Sequence, residues 1–324
     1  MRILVDRPLQ SLTRRNFLRA AGCALALGGA VASPLARTRV AAALSSKVTL
    51  SETASAAPAI ATALGRLFLA WTGTDLRRQL NVMSSANGST FVNKATLIDN
   101  SPYGPSLAGS VGGPAQVALA WTGTDSARHL NIATSGDGVG FGSKSVLGET
   151  SAAGPGLAWL IEQAIAWKGT DLAHLLNLEF SPGPGGSKTT FGETSIEGPT
   201  LTFANFLQAE PDLLIAWTGT DNRLNVLFFP IPGTPTKVTL AESSFHAPAI
   251  AFFGSQGATT ILLAWTGTDG RLNTMTSPDG RTFGNKVTTN ETSAFGPALA
   301  TFSNGFFIAW AGTDLQRHVN VARV

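Results

Sequence analysis

The chain has 324 residues, 44% of them hydrophobic and 13% charged, which is enough apolar content for one large folded domain or two ordinary ones and too much for a disordered chain. Its formal charge of +3 is a local effect: seven of the 23 basic residues (Arg2, Arg7, Arg14, Arg15, Arg19, Arg37 and Arg39) fall within residues 1–43 against Asp6 alone, leaving 16 basic and 19 acidic residues beyond. No Lys/Arg run remains there to follow a phosphate backbone, so no nucleic-acid partner is expected.

Residues 1–43 read as an export signal. Thr13-Arg14-Arg15-Asn16-Phe17-Leu18-Arg19 resembles a twin-arginine motif, and a small, weakly apolar run follows from Ala20 to Ala32. That run is too short and too rich in Ala and Gly for a membrane span, so no stable membrane insertion is expected once the signal is removed. Small-residue cleavage sites occur at Ala30-Val31-Ala32 and Ala41-Ala42-Ala43, the later one lying just before the repeats. The alternative is an amphipathic helix kept in the mature chain. Cys23, the only cysteine, precedes the apolar run, which is the wrong order for lipid attachment. Without it the mature chain holds no thiol, hence no disulfide and no Cys-ligated metal. The implied destination is the periplasm or the cell exterior.

From residue 44 the chain repeats itself. "AWTGTD" at Ala70–Asp75 recurs at Ala120, Ala216 and Ala264, with "AWKGTD" at Ala166 and "AWAGTD" at Ala309. The six tryptophans Trp71, Trp121, Trp167, Trp217, Trp265 and Trp310 are 50, 46, 50, 48 and 45 residues apart, a period that signals a propeller, solenoid or array. Each unit reads as four short strands divided by Gly, Asp, Asn, Ser and Pro, as in "GPSLAG", "VALAWTG", "HLNIATS" and "KSVLGE". The sixth unit stops after its third strand, "HVNVARV", whereas "KVTLSETASAAPA" at the start of the mature chain matches the fourth strand and exit of "KVTTNETSAFGPA". The expectation for residues 44–324 is an all-β, six-bladed propeller of four-stranded antiparallel blades, its ring closed by the N-terminal strand so that no sheet edge is left open.

Three turns between third and fourth strands read "SSANGSTF" (84–91), "TSGDGVGF" (134–141) and "SPDGRTF" (277–283). They resemble the Asp-box, or bacterial neuraminidase repeat, of sialidase-like propellers, with Asn87 in place of Asp in the first copy. The corresponding turns "SPGPGGSKTTF" and "FFPIPGTPTK" depart from it. The resemblance implies a fold and not, by itself, an activity.

In such a propeller the turns between second and third strands share a face with the links between blades. Both recur here. The "GTD" loops run over 75–81, 125–131, 171–177 and 314–320 in a long form and 221–225 and 269–273 in a short one, each opened by an aspartate (Asp75, Asp125, Asp171, Asp221, Asp269, Asp314) and tipped by Arg78, Arg128, His174, Arg223, Arg271 or Arg317. The links open on Glu52, Asp99, Glu149, Glu193, Glu242 and Glu291. Trp face, carboxylate and guanidinium together suit a sugar, whose C–H face stacks on indole while paired hydrogen bonds read its hydroxyls. The candidate ligand contacts are therefore the Trp, Asp and Arg of units one, two, four, five and six, with Glu149, Glu193 and Glu291. The competing assignment is structural: Trp as packing between blades, Asp as a turn former, Arg as a partner of the neighbouring link.

For an enzyme, the sialidase resemblance implies three arginines clamping a carboxylate, an acid/base Asp and a Tyr activated by Glu. Tyr103 is the only tyrosine; the loops beside it offer Asp75, Asp99 and Asp125 but no Glu, the arginines are spread with the repeat, and no Arg-Ile-Pro signature is present. Carboxylates that break the repeat, Glu162, Glu179, Glu197, Glu210 and Asp212, with Lys168 and His174, would be the place for other glycoside hydrolase chemistry. The four histidines are scattered, so no metal or other cofactor is expected. The reading is an exported, monomeric, lectin-like propeller that binds a glycan or cell-surface polysaccharide without cleaving it. A glycoside hydrolase with one site in the irregular units is the alternative, and a protein-interaction platform on the same rim is a third.

Overall fold

The computed structural model describes residues 4–5, 44–111, 114–204, 211–231, 233–255 and 258–324. The twin-arginine motif, Cys23 and both cleavage sites lie outside the described residues, as does Glu210. The expected propeller is observed: six antiparallel blades of four strands each, blade 3 extended by a fifth short strand, and, among the described residues, no helix.

Blade 1 comprises β3 (Ala59–Ala63), β4 (Arg66–Thr72), β5 (Gln79–Ser85) and β6 (Phe91–Asn100). Blade 2 is β7 (Ser106–Gly109), β8 (Val117–Thr122), β9 (His129–Ser135) and β10 (Ser145–Thr150). Blade 3 is β11 (Gly156–Trp159), β12 (Gln163–Lys168), β13 (Leu175–Phe180) and β14 (Ser187–Thr194), and β1 (Leu4–Val5) pairs along its outer edge with Leu4 opposite Thr190. Blades 4 and 5 are β15 (Thr200–Ala204) to β18 (Thr236–Ser243) through β16 (Asp212–Thr218) and β17 (Arg223–Phe229), then β19 (Ala249–Ser255) to β22 (Gly284–Thr292) through β20 (Ala258–Thr266) and β21 (Arg271–Ser277). Blade 6 takes β23 (Ala298–Phe302), β24 (Gly305–Ala311) and β25 (His318–Arg323) from the C-terminus and its outer strand β2 (Ser45–Thr53) from the N-terminal side, with Val48 opposite Val321. This is the expected closure.

The recurring hexapeptide follows from the packing. Each Trp is 0–1% exposed and lies in an apolar cluster shared with the preceding blade: Trp71 packs with Phe307, Ala309 and Val321 of blade 6, and Trp121 with Phe68, Ala70 and Val82 of blade 1. The Thr after Trp is buried and reaches across to the next link, as Thr72 Oγ1 donating to Tyr103 O (2.7 Å) and Thr218 Oγ1 to His246 O (2.6 Å). The Gly must lack a side chain, because a Cβ on Gly73 would fall 2.6 Å from the Asp75 carboxylate. The Asp caps its own loop: Asp75 Oδ1 accepts from Arg77 N at 2.9 Å, and the carboxylate also takes Gln79 N. The letters repeat because the blades share this joint, with Lys168 and Ala311 standing at the Thr position in blades 3 and 6.

The turns at 85–90, 135–140 and 277–282 share one hydrogen-bond set. In the second, Ser135 Oγ donates to Asp137 Oδ1 (2.8 Å), which also accepts from Val139 N (2.8 Å) and Gly140 N (2.9 Å). Asn87 does the same work in the first turn, with Ser89 N and Thr90 N at 2.9 and 2.8 Å. The amides of Val139 and Gly140 and the Ser135 hydroxyl hold the Asp137 carboxyl down to about 2.

Candidate functional site

The two recurring loop families are fastened together on one face. Ser101 N donates to Arg78 O of the loop behind it, and Thr124 Oγ1 of the loop ahead donates to Asn100 Oδ1 at 2.7 Å. Thr53 with Thr74, Thr150 with Thr170, Thr194 with Thr220 and Thr292 with Thr313 repeat the forward contact. A link such as 99–105 is thus held by the GTD loops on both sides of it.

At the outer part of each junction lies a unit of three side chains. The link carboxylate pairs with a lysine in or just before the outer strand of the following blade, and that lysine lies over the Trp of its own blade. Lys144 is 2.5 Å from Asp99 and 5.2 Å from the Trp121 ring centroid. Lys47 with Glu291 over Trp310, Lys94 with Glu52 over Trp71, Lys188 with Glu149 over Trp167, Lys237 with Glu193 over Trp217, and Lys286 with Glu242 over Trp265 complete the ring. The lysine side chains are 31–42% exposed, so the ammonium stays wet while its stem covers indole. Between blades 1 and 2 this unit opens into a hollow of about 350 Å³ lined by Asp99, Trp121, Asp125, His129, Asn131 and Lys144. There Asp125 accepts from His129 Nδ1 at 2.8 Å. Burial works against its charge, but the His129 ring and amide outweigh it and keep Asp125 below its ordinary range; His318 does the same for Asp314.

The second concavity lies on the ring axis. A cavity of about 410 Å³ is enclosed by all six links and floored by Ile60, Leu107, Leu157, Leu201, Ile250 and Leu299 of the innermost strands. Its walls are backbone in close approach: a Cβ on Gly198 would fall 1.8 Å from Gly154 O. The fifth link residues Ala56, Tyr103, Ala153, Glu197 and Phe295 line this mouth, with His246 beside Glu197, and at this position the repeat is lost. Arg128 Nη1 donates to Tyr103 Oη at 2.5 Å, Arg317 lies 5.2 Å from the Phe295 centroid, and Arg78 Nη1 donates weakly to Pro102 O at 3.4 Å. These three arginines and His174 sit at positive φ of 52–61°, where the short loops place Asn222 or Gly270. A left-handed conformation costs a residue with a Cβ on the order of 1 kcal/mol. Here it turns the guanidinium inward.

The structure therefore divides the sequence-derived candidates. Asp99, Trp121 and Asp125 meet at a junction hollow, and Glu149, Glu193 and Glu291 lie at equivalent junctions, but the long-loop arginines Arg78, Arg128 and Arg317 turn toward the axis. In the short loops Arg223 Nε donates to Leu240 O at 3.2 Å, while Asp221 and Asp269 accept from the backbone of Arg223 and Arg271. The junction cation is lysine, which pattern reading missed although Lys47, Lys94, Lys144, Lys188, Lys237 and Lys286 occur once per repeat. Of the acids that break the repeat, Glu162 accepts from Ser181 Oγ (2.9 Å) and Glu179 from Gly183 N (3.2 Å), both at the opposite end of the strands from Glu197. Burial raises the Glu179 and Asp212 carboxyls, against Gly183 N in the first case and Arg281 in the second. Tyr103, expected to lack a nearby Glu, lines the same cavity as Glu197. Among the described residues no three His, Cys, Asp or Glu side chains gather to hold a metal ion.

No family model and no curated protein matches the chain. Solved structures do. The SapL1 lectin in complex with alpha methyl fucoside is 13% identical with a TM-score of 0.62, covering 83% of this chain and 92% of the lectin. A mutant of AofleA from Arthrobotrys oligospora is 12% identical with a TM-score of 0.63 over 84% of each chain. Trypanosoma rangeli sialidase is 12% identical with a TM-score of 0.58, over 84% of this chain and 55% of the sialidase. At such identities the likeness is one of architecture, and the chain has the six-bladed propeller fold of these structures.

Proposed function

We propose that the protein is a lectin-like propeller that binds glycans at the junctions between its blades and does not cleave them. The observation that carries this reading is the sixfold recurrence of carboxylate, lysine and Trp at the junctions, one of which opens into a hollow of ligand size. Carboxylate and ammonium held side by side offer an acceptor and a donor to vicinal hydroxyls, and displacing the lysine stem would open the buried Trp behind it as an apolar face. The GTD aspartates and the link acids Glu149, Glu193 and Glu291 belong to the same rim, and the arginines to its inner edge. The fucose ligand of SapL1 supports a sugar as the ligand class. Six weak sites on one disc would act together on a multivalent surface polysaccharide through effective concentration. Residues 1–43 serve as the twin-arginine signal, residues 44–324 as the exported monomeric domain, and the serine–aspartate turns as Asp-box folding elements.

The test is calorimetric titration of the mature chain with methyl α-fucoside and a panel of neutral, sialylated and sulfated oligosaccharides, followed by product analysis. Saturable binding at several sites with intact sugar is expected. A blank panel at high protein concentration overturns the reading, and cleavage replaces it with a glycoside hydrolase.

A further inference from the structure

A function that needs one copy per molecule has to break the sixfold repeat, and the break is concentrated at the axis. At the fifth link position the same backbone carries Ala56, Tyr103, Ala153, Glu197, His246 and Phe295, whereas the sixth position stays small throughout, as Ala57, Gly104, Gly154, Gly198, Ala247 and Gly296. Close packing dictates the small residues, since a Cβ on Gly104, Gly154 or Gly198 would run into the carbonyl of the preceding link. Packing does not dictate the fifth position. A blade joint there tolerates anything from a methyl to a phenol.

The same sector departs from the repeat a second time. Where four blades use a threonine hydroxyl to reach the next link, blade 3 uses Lys168, whose Nζ donates to Ile196 O at 3.0 Å beside Glu197. Glu197 is then fixed from the other side, accepting Ala247 N at 2.9 Å and lying 3.3 Å from His246 Nδ1. It is the single charged side chain among those lining the cavity. Tyr103 Oη already accepts from Arg128, which leaves its own hydrogen to donate. Phe295 is braced by Arg317 on its face and by His246 edge-on at 6.4 Å between centroids.

We propose that this axial cavity is a second, single-copy binding site for one neutral pyranose ring, distinct from the six junction sites. The apolar floor and Phe295 take the C–H face, Glu197 accepts from a pair of hydroxyls, and Tyr103 donates to a ring or hydroxyl oxygen. Every polar group is held by a neighbour before the ligand arrives, so little ordering is needed on binding. A volume of about 410 Å³ lies in the range that holds a small ligand. The choice of a sugar rests on the glycan-binding reading; the position of the site does not.

The experiment is titration of the mature chain with methyl α-fucoside, methyl β-galactoside and methyl α-mannoside, comparing wild type with Glu197→Gln and with Ala56→Tyr. The second variant fills the cavity with a side chain that the next link already carries, so the fold should accept it. At least one sugar should show a class of one site per chain that weakens tenfold or more in both variants, while the junction class keeps its affinity. Junction binding that persists with no such class overturns the axial site alone. No binding of any of the three sugars by the wild type overturns it too, and a blank on the wider panel as well removes the glycan-binding reading with it.

Discussion

The Lys144 ammonium lies 2.5 Å from the carboxylate of Asp99, a residue of the preceding link, so the pair spans the junction of blades 1 and 2. Because the lysine also lies 5.2 Å from the Trp121 ring centroid, one flexible side chain covers the apolar surface a sugar would use. A ligand has to share or displace it. The lysine is 39% exposed, and an exposed ion pair of this kind contributes about 0–1 kcal/mol, which a sugar bonding to both charges can replace.

Replacing three of these lysines, as Lys94→Met, Lys144→Met and Lys286→Met together, keeps the apolar stem and removes the charge. The free energy of unfolding should change by no more than the ~3 kcal/mol that three exposed pairs allow. The number of sugar sites measured by titration should fall by half. An unchanged number of sites would mean that the junction lysines serve the fold alone.

The buried tryptophans make the opposite prediction. Trp121 is 1% exposed within the cluster of blades 1 and 2, so Trp121→Ala removes a large side chain from a joint and should cost about 3–5 kcal/mol in urea unfolding. Trp121→Phe should cost less and leave a folded propeller. A neutral alanine variant would contradict the packing described here.

These two predictions mark what the residues reveal unaided. The hexapeptide was readable because each of its letters meets a contact that recurs at every blade, and β2 because "KVTLSETA" copies the strand it replaces. The turns before the lysines differ in length, from "SANGSTFVNK" to "PIPGTPTK", so no constant spacing ties Lys to Trp; the signal that could have found them is the constant five residues from each Lys to the next link acid, as in Lys94 and Asp99 or Lys144 and Glu149. The inward turn of Arg78, Arg128 and Arg317 depends on a positive φ that an arginine does not announce. That Tyr103 and Glu197 line one cavity is a property of the closed ring, which brings residues 94 positions apart to one axis.

The ring of links is tightest where the link entering blade 3 meets the link leaving it. A methyl group on Gly198 would sit 1.8 Å from Gly154 O, a distance that only backbone movement can relieve. Gly198→Ala should therefore lose several kcal/mol in urea unfolding, in the range of severe overpacking. Gly148→Ala, with nothing within 4 Å of the added methyl, is the control and should change stability by about 1 kcal/mol or less. Equal effects at the two positions would show that the axial wall yields more easily than its contacts imply.

Acid stability should depend on the serine–aspartate turns. Asp137 is held at about 2 against an ordinary 3.8, and the hydrogen bonds of Val139, Gly140 and Ser135 are made to its ionised form. A carboxyl whose folded value is depressed contributes its full stabilisation above the unfolded value and loses it as the pH falls through the folded one. The contribution of Asp137 is accordingly complete above pH 4 and disappears between about pH 4 and pH 2. Asp279, where burial opposes but the amides of Thr282 and Arg281 prevail, is lowered in the same direction and should add to the same window. Asn87 occupies the equivalent place in the first turn and accepts from Ser89 N and Thr90 N without titrating. Asp137→Asn should thus fold, and its melting temperature should fall less steeply than that of the wild type from pH 4 to pH 2. Parallel curves for the two proteins over that interval would show that the turn carboxylate plays no part in acid unfolding.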